Sequence, residues 1–372
     1  MNAPARTPAR KVGFVLLSSP ARPMASTRIA ALQIFDELRR LGFEPEVLYA
    51  PATGDQTPNP GLSAADVARR GFDLVVFQKV HGPQVLRLAL DLKAAGVPTV
   101  FLVCDIVEPA MCAATSATVA VTAYLGSLYP APLQPRIHVV HDGIEHPGAA
   151  HVPRTTAVTA HDPLRAVLVS SEELIHLPAL GPPPRWLHVT IVGDYAPLQQ
   201  RRQRWLRARW VLQKGYSWPL RWQMARALLS PRISRVVWTS DGVYEQMARA
   251  DIGVLPIDTD DPFQLALQPV LSWMLKSENR LTLKMAAGLP VVATPIPAYE
   301  ALITQGVDGY LARTAADWRR ALTALRDPAH RADMGAAARQ RVLEPFSRQR
   351  QAEALAKVFE RVLPNAHSRV DE

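Results

Sequence analysis

What most constrains this chain is an alternation that runs once, stops and starts again. From Lys11, short β-rich runs separated by helix-length stretches occur at Val12–Leu17, Pro45–Tyr49, Leu74–Phe77, Thr99–Cys104, Thr118–Thr122 and His138–His141. After Asp142-Gly143 the pattern pauses, through Pro-, His- and Thr-containing sequence, to about Pro163. It resumes at Ala166–Val169 and Val189–Val192 and continues through Arg235–Trp238, Ile252–Leu255, Val291–Ala293 and Tyr310–Leu311. Strands alternating with helices form parallel sheets with helices on both faces. Two doubly wound α/β domains in tandem are therefore expected, the first over residues 11–145 and the second over 160–346. A helix is predicted over Ile29–Leu41, where Ile29, Leu32, Ile34, Phe35, Leu38 and Leu41 recur at helical spacing before Gly42.

A length of 372 residues suits two domains. The composition, 48% hydrophobic and 20% charged, is that of a globular protein able to bury large cores. Two cysteines, Cys104 and Cys112, make neither a disulfide framework nor a zinc site. No apolar run approaches the roughly 18 residues needed to cross a bilayer, and the run after the basic N-terminus is too short for a signal core. The expectation is a cytoplasmic protein, free or peripheral on the inner face of the membrane. A net charge of +9 favours an anionic partner. The standard nucleic-acid signatures are missing, so nucleic acid is not expected. The Arg- and Trp-rich stretch Arg201–Trp222 fits two readings: a helix lying on an anionic membrane surface, or a basic helix whose Trp205, Leu206 and Trp210 pack onto the sheet.

Ligands of open α/β sheets sit at the carboxyl ends of strands, so function belongs to the loops that follow them. The most informative stretch is Ala250-Asp251-Ile252-Gly253-Val254-Leu255-Pro256, then Lys276-Ser277-Glu278-Asn279-Arg280-Leu281, then Met285 to Thr294 with Gly288-Leu289-Pro290, and Gly306-Val307-Asp308-Gly309-Tyr310. Lys276, Ser277, Asn279 and Arg280 stand before a helix expected over Leu281–Ala287. Fixed positive charge and helix N–H groups are what a diphosphate needs, both for binding and for stabilisation as a leaving group. Solvated surface charge beside tight helix packing is the alternative reading of the same residues.

From about Val236 to Phe346 this pattern resembles the donor domain of family-4 glycosyltransferases. The resemblance implies the GT-B fold, two Rossmann-like domains facing a central cleft, with a closing helix in 347–363 packing back on the first domain. It implies a retaining enzyme that moves a sugar from a nucleotide-sugar donor to a glycan, lipid-linked glycan or protein acceptor, as in bacterial surface polysaccharide or glycoconjugate synthesis. No cofactor or metal is expected. Two family glutamates fall, in this register, at Leu275 and Leu283, and the basic pair usual after the second domain's first strand is replaced by Ser170-Ser171-Glu172-Glu173. Phosphate charge then rests on Lys276 and Arg280, assigned as catalytic. Donor contacts are expected from Ser170, Gly193, Asp194, Tyr195, Ser240, Asp241, Tyr244, Ser277, Asn279 and Thr282. An ordinary turn with Ser240 or Asp241 as helix cap is the other reading of that loop.

On the acceptor side, Ser26, Thr27 and Arg28 replace the relatives' glycine-rich loop, with Ser26 or Thr27 as a helix cap in the alternative. Lys79 ends the third strand. Asp105 follows the fourth, where relatives carry a His then an acid; it is assigned to orient or deprotonate the acceptor hydroxyl, with a helix cap as the alternative. Two further functions fit the sequence: an epimerase-like enzyme that alters a nucleotide sugar, and a non-catalytic scaffold of the same fold.

Overall fold

The computed structural model describes residues 9–55, 60–170, 182–193, 200–213, 215, 217–257, 259 and 270–364. The chain divides into two units: Met1–Glu145 with Ala266–Ser277 and Phe346–Glu372, and His146–Leu265 with Glu278–Pro345. The sequence reading runs the second domain unbroken to residue 346, whereas Leu275 and Val270 pack into the first unit's core. Leu275, where the sequence reading sets a family glutamate, is 1% exposed in that core.

The first unit is built on β1 (Arg10–Leu16), β2 (Phe43–Tyr49), β3 (Leu74–Gln78), β4 (Thr99–Val103), β5 (Ala117–Ala120) and β6 (Ile137–Val139), in the order β2-β1-β3-β4-β5-β6. Every pairing is parallel. All residues of β3 and β4 are buried, since both faces of the sheet are covered. Helix Pro83–Ala94 lays Val85, Leu88 and Leu92 on one face. The closing helix Arg348–Val362 lays Ala352, Leu355 and Phe359 against Val12, Phe14 and Val76 on the other.

The helix expected over Ile29–Leu41 is broken. It forms as Ala25–Ala30, a 3-10 turn Leu32–Ile34 and Phe35–Arg40. A tertiary partner accompanies the break: Gln351 Nε2 donates to the Ile29 carbonyl at 3.1 Å, and Gln33 Nε2 donates to the Gly143 carbonyl at 2.9 Å. The polar partners come from segments far away in sequence, which helical periodicity does not register.

The second unit carries β7 (Leu164–Val169), β8 (Leu187–Gly193), β9 (Ile233–Val237), β10 (Ile252–Leu255), β11 (Val291–Ala293) and β12 (Tyr310–Leu311), also parallel, in the order β12-β11-β10-β7-β8-β9. Order reverses between β1 and β3 in the first sheet and between β7 and β10 in the second; ligands of such sheets bind beyond the carboxyl ends at these points. Helices Arg201–Leu212 and Trp218–Leu229 cover one face of the second sheet through Ala208, Val211, Met224 and Leu228. The packing alternative for Trp205, Leu206 and Trp210 is overturned: all three are exposed.

Candidate active site

At the switch point of the first sheet, Gln78 ends β3 fully buried, and its Oε1 accepts from the Leu17 N–H at 3.2 Å and from the Thr27 hydroxyl at 2.9 Å. Thr27 in turn accepts from the Ser18 hydroxyl at 2.8 Å, and Ser18 Oγ accepts from the Met24 N–H at 2.9 Å. Thr27, expected to meet the acceptor, is thus a buried strut for the loop after β1. It does not cap a helix either, and nor does Ser26: the cap position of Ala25–Ala30 is Met24, without a side-chain bond. Ser26 is half-buried on the same helix, and Arg28 forms a two-pronged ion pair with Glu145.

Lys79, one residue past β3, holds φ of 60°, the only non-glycine with positive φ among the described residues. For a lysine this left-handed conformation is uncommon, and such strain clusters at functional sites. Its Nζ lies 2.7 Å from Asp105 Oδ1 and 2.8 Å from Oδ2. Burial alone lowers the Lys79 ammonium, the Asp105 carboxylate that holds it raises it, and the net shift is upward. Burial, with Asp105 adding, drives the Cys104 thiol well above its usual value. Cys104 is therefore a neutral thiol at neutral pH, and Asp105 is the partner that keeps Lys79 charged. The cap alternative for Asp105 fails, since Glu108 occupies the cap position of helix Pro109–Ala114. Beside this pair, Gln78, Cys104, Asp142 and Gln351 help line a cavity of about 20 Å³, room for a water molecule.

In the second unit, helix Asn279–Ala286 starts two residues earlier than expected, so Asn279 and Arg280 are its first two residues rather than its approach. The N–H groups of a helix's first turn point out of its amino end and attract anions. Asn279 and Arg280 are half-buried there; Ser277 and Lys276, half-buried too, precede them in the segment grouped with the first unit. Thr282 is buried and its hydroxyl donates to the Asn279 carbonyl at 3.1 Å, which makes it a support of the helix start rather than a donor contact. The helix ends at Gly288, whose φ of 80° lets the Leu289 N–H reach the Lys284 carbonyl at 3.1 Å.

Sequence reasoning missed two groups here. Glu278, at the cap position, is 3% exposed, and Lys284 is fully buried. Glu278 sits in the polar run Lys276–Arg280, and Lys284 is a lone charge between Leu283 and Met285; only packing puts them inside. Lys284 donates to the Arg280 carbonyl at 3.1 Å, and burial, reinforced by the charge of Arg280, pulls its ammonium down to about 7. The one available sequence signal is Gly253, where a Cβ would come within 2.6 Å of Lys284 Cδ. That glycine leaves room for the lysine stem.

Ser170 is buried just past β7, its N–H donating to the Val192 carbonyl at 3.0 Å, and Gly193 ends β8. Asp194 and Tyr195 lie outside the described residues. Ser240 and Asp241 are exposed; Asp241 holds the cap position of helix Gly242–Arg249 without a side-chain bond, and Thr239 Oγ1 accepts the Gly242 N–H at 3.0 Å. Tyr244 stacks edge-on against His146 at 4.4 Å. Asp251, which opens the sequence pattern, stands at the opposite pole, where Arg154 and Arg165 each approach it at 3.0 Å.

Known proteins share this architecture. Residues 187–357, just under half of the chain, match a family described as glycosyl transferase-like. No curated protein matches. Among solved structures, a glycosyltransferase from Rickettsia africae ESF-5 superposes with a TM-score of 0.66 at 13% identity, covering 96% of this chain and 100% of that one. Anabaena Alr3699/HepE in complex with UDP gives 0.63 at 14% identity, covering 95% and 100%. Sucrose-phosphate synthase from Thermosynechococcus elongatus gives 0.63 at 13%, covering 95% and 98%. The chain thus has the GT-B fold of these glycosyltransferases, and its residues 187–357 match the model of a glycosyl transferase-like family.

Proposed function

We propose that the protein is a glycosyltransferase that moves a sugar, with retention, from a nucleotide-sugar donor to a glycan, lipid-linked glycan or protein acceptor in surface polysaccharide or glycoconjugate synthesis. The observation that carries this reading is the amino end of helix Asn279–Ala286, which presents Asn279 and Arg280 within the segment that matches the glycosyl transferase-like family. That Anabaena HepE holds UDP and UDP-glucose supports a nucleotide-sugar donor.

In the proposed reaction the donor diphosphate binds at this helix end, where Arg280, with Lys276 a few residues before it, neutralises the charge that grows as the C1–O bond to phosphate breaks. No metal is then required. The acceptor oxygen bonds to C1 on the face the diphosphate leaves, and its proton passes to a departing phosphate oxygen. Asp105 Oδ1 is already engaged by Lys79 Nζ at 2.7 Å. Its place is to accept a hydrogen bond from the acceptor hydroxyl and orient it.

Thermal unfolding with UDP, GDP and ADP and their sugars tests the donor half. A saturating cognate nucleotide, at a hundred times its Kd, adds about 2.7 kcal/mol of stability. Arg280→Ala and Lys276→Ala each weaken that nucleotide by roughly tenfold, the size of one charged hydrogen bond. No shift with any nucleotide, or wild-type affinity in both variants, overturns the assignment. Product sugar still on nucleotide, with its configuration changed, would point to the epimerase-like enzyme instead.

A further inference from the structure

We propose that helices Arg201–Leu212 and Trp218–Leu229 form a docking surface for an anionic phospholipid bilayer. Residues 195–240 contain nine arginines, one lysine and no aspartate or glutamate, so this segment alone exceeds the chain's net charge of +9. The same segment contains five of the eight tryptophans: Trp205, Trp210, Trp218, Trp222 and Trp238. All five are exposed, from 39% to 59%, and Leu206 and Leu229 are exposed beside them at 45% and 46%. The sheet-facing side of the helix pair is already satisfied by Ala208, Val211, Met224 and Leu228, so the indoles have no core left to enter.

Leaving such side chains exposed to water gives no folding benefit, and the pattern fits a bilayer interface. Indole rings settle at headgroup depth, short alkyl chains reach the acyl boundary, and guanidinium groups meet lipid phosphates. Arg207 already lies over the Trp210 ring at 4.0 Å and Arg221 over Trp218 at 5.8 Å, while Trp218 and Trp222 meet edge-on at 6.0 Å. Aromatic faces and cations are thereby interleaved on each helix. Among the described residues no helix is long and apolar enough to cross a membrane, so the contact is one of lying on the surface. A second copy of the chain is disfavoured as occupant, because a self-complementary contact would face arginines with arginines. A nucleic acid would use the arginines and indoles but not Leu206 and Leu229.

Vesicle flotation of the full chain tests this, without substrate and independently of the proposed reaction. The protein is expected to float with vesicles of phosphatidylcholine mixed with phosphatidylglycerol, not with phosphatidylcholine alone, and tryptophan emission should shift to the blue on binding. Arg202→Glu with Arg209→Glu, and separately Trp205→Ala with Trp222→Ala, should each lower the partition coefficient at least about tenfold while leaving the thermal midpoint in place. Arg202→Gln with Arg209→Gln replaces the first pair if charge reversal impairs folding. Absence of flotation with the anionic vesicles overturns the proposal, and so does flotation unchanged by both pairs. Binding to polyuridylate without binding to vesicles, or a concentration-dependent dimer abolished by these substitutions, assigns the surface elsewhere and overturns it as well.

Discussion

Asp251 and Asp105 are both aspartates next to a strand of a parallel sheet, and both are held by cations at about the same distance. Arg154 and Arg165 reach Asp251 at 3.0 Å, and Lys79 reaches Asp105 at 2.7 Å. Asp251 precedes β10 and its side chain is 0% exposed; it also accepts the Arg165 N–H at 2.8 Å. Asp105 follows β4 and its side chain is 45% exposed. The amino ends of parallel strands are where a buried ion cluster ties neighbouring segments together, here with Arg331 reaching the Arg154 carbonyl at 3.0 Å. At the carboxyl ends the loops stay open and a carboxylate keeps a face for a ligand. The acid that opens the most recognisable motif is therefore architectural, and the acid in the less recognisable loop is the one left open to solvent.

The widest separation between the two is expected in stability. Asp251→Ala leaves the buried Arg154 guanidinium with only the exposed Asp162 as carboxylate partner, which costs about 3–5 kcal/mol and should lower the second unit's calorimetric midpoint by roughly 10 °C. A midpoint that barely moves would show that the arginines relax into solvent and that the poles differ less than their burial suggests. Asp105→Asn should do the reverse: turnover falls about a hundredfold, while stability stays within about 0.5 kcal/mol and donor affinity is unchanged. Loss of stability there, with turnover kept, would make Asp105 architectural too.

A smaller effect tests whether the buried charge at the second unit's carboxyl pole is structural. Lys284 is pulled down to about 7, whereas an unfolded lysine titrates near about 10.4. Between those values the unfolded chain carries the extra proton, so stability rises with pH by up to about 1.4 kcal/mol per unit; below about 7 both states are protonated and the rise disappears. Lys284→Met should remove that slope, as read from urea unfolding at mildly alkaline pH. An unchanged slope would place the titrating group elsewhere.

How far the chain could be read without coordinates depends on the kind of residue. The twelve described strands were legible because an apolar run between turn residues reports burial on both faces of a sheet, and β10, β11 and β12 fall where expected. The helix over Ile29–Leu41 was less so, since Gln351 and Gln33 act across more than a hundred residues of sequence. Positions of Lys79, Asp105, Asn279 and Arg280 followed from their place after strands or before a helix. The burial of Thr27, Glu278 and Lys284 did not, because a polar side chain looks the same in sequence whether water or a hydrogen-bonded interior receives it.

By itself, then, the sequence determined two parallel α/β sheets and the loops that must carry their chemistry, because strand periodicity and loop position are local properties of the chain. Only the tertiary structure decided that Leu275 is core of the first unit, that Asp251 is an anchor and that the tryptophans beside Ala208 face outward. Each of these depends on which distant surface fills the space next to the residue, and that is settled only when the elements pack.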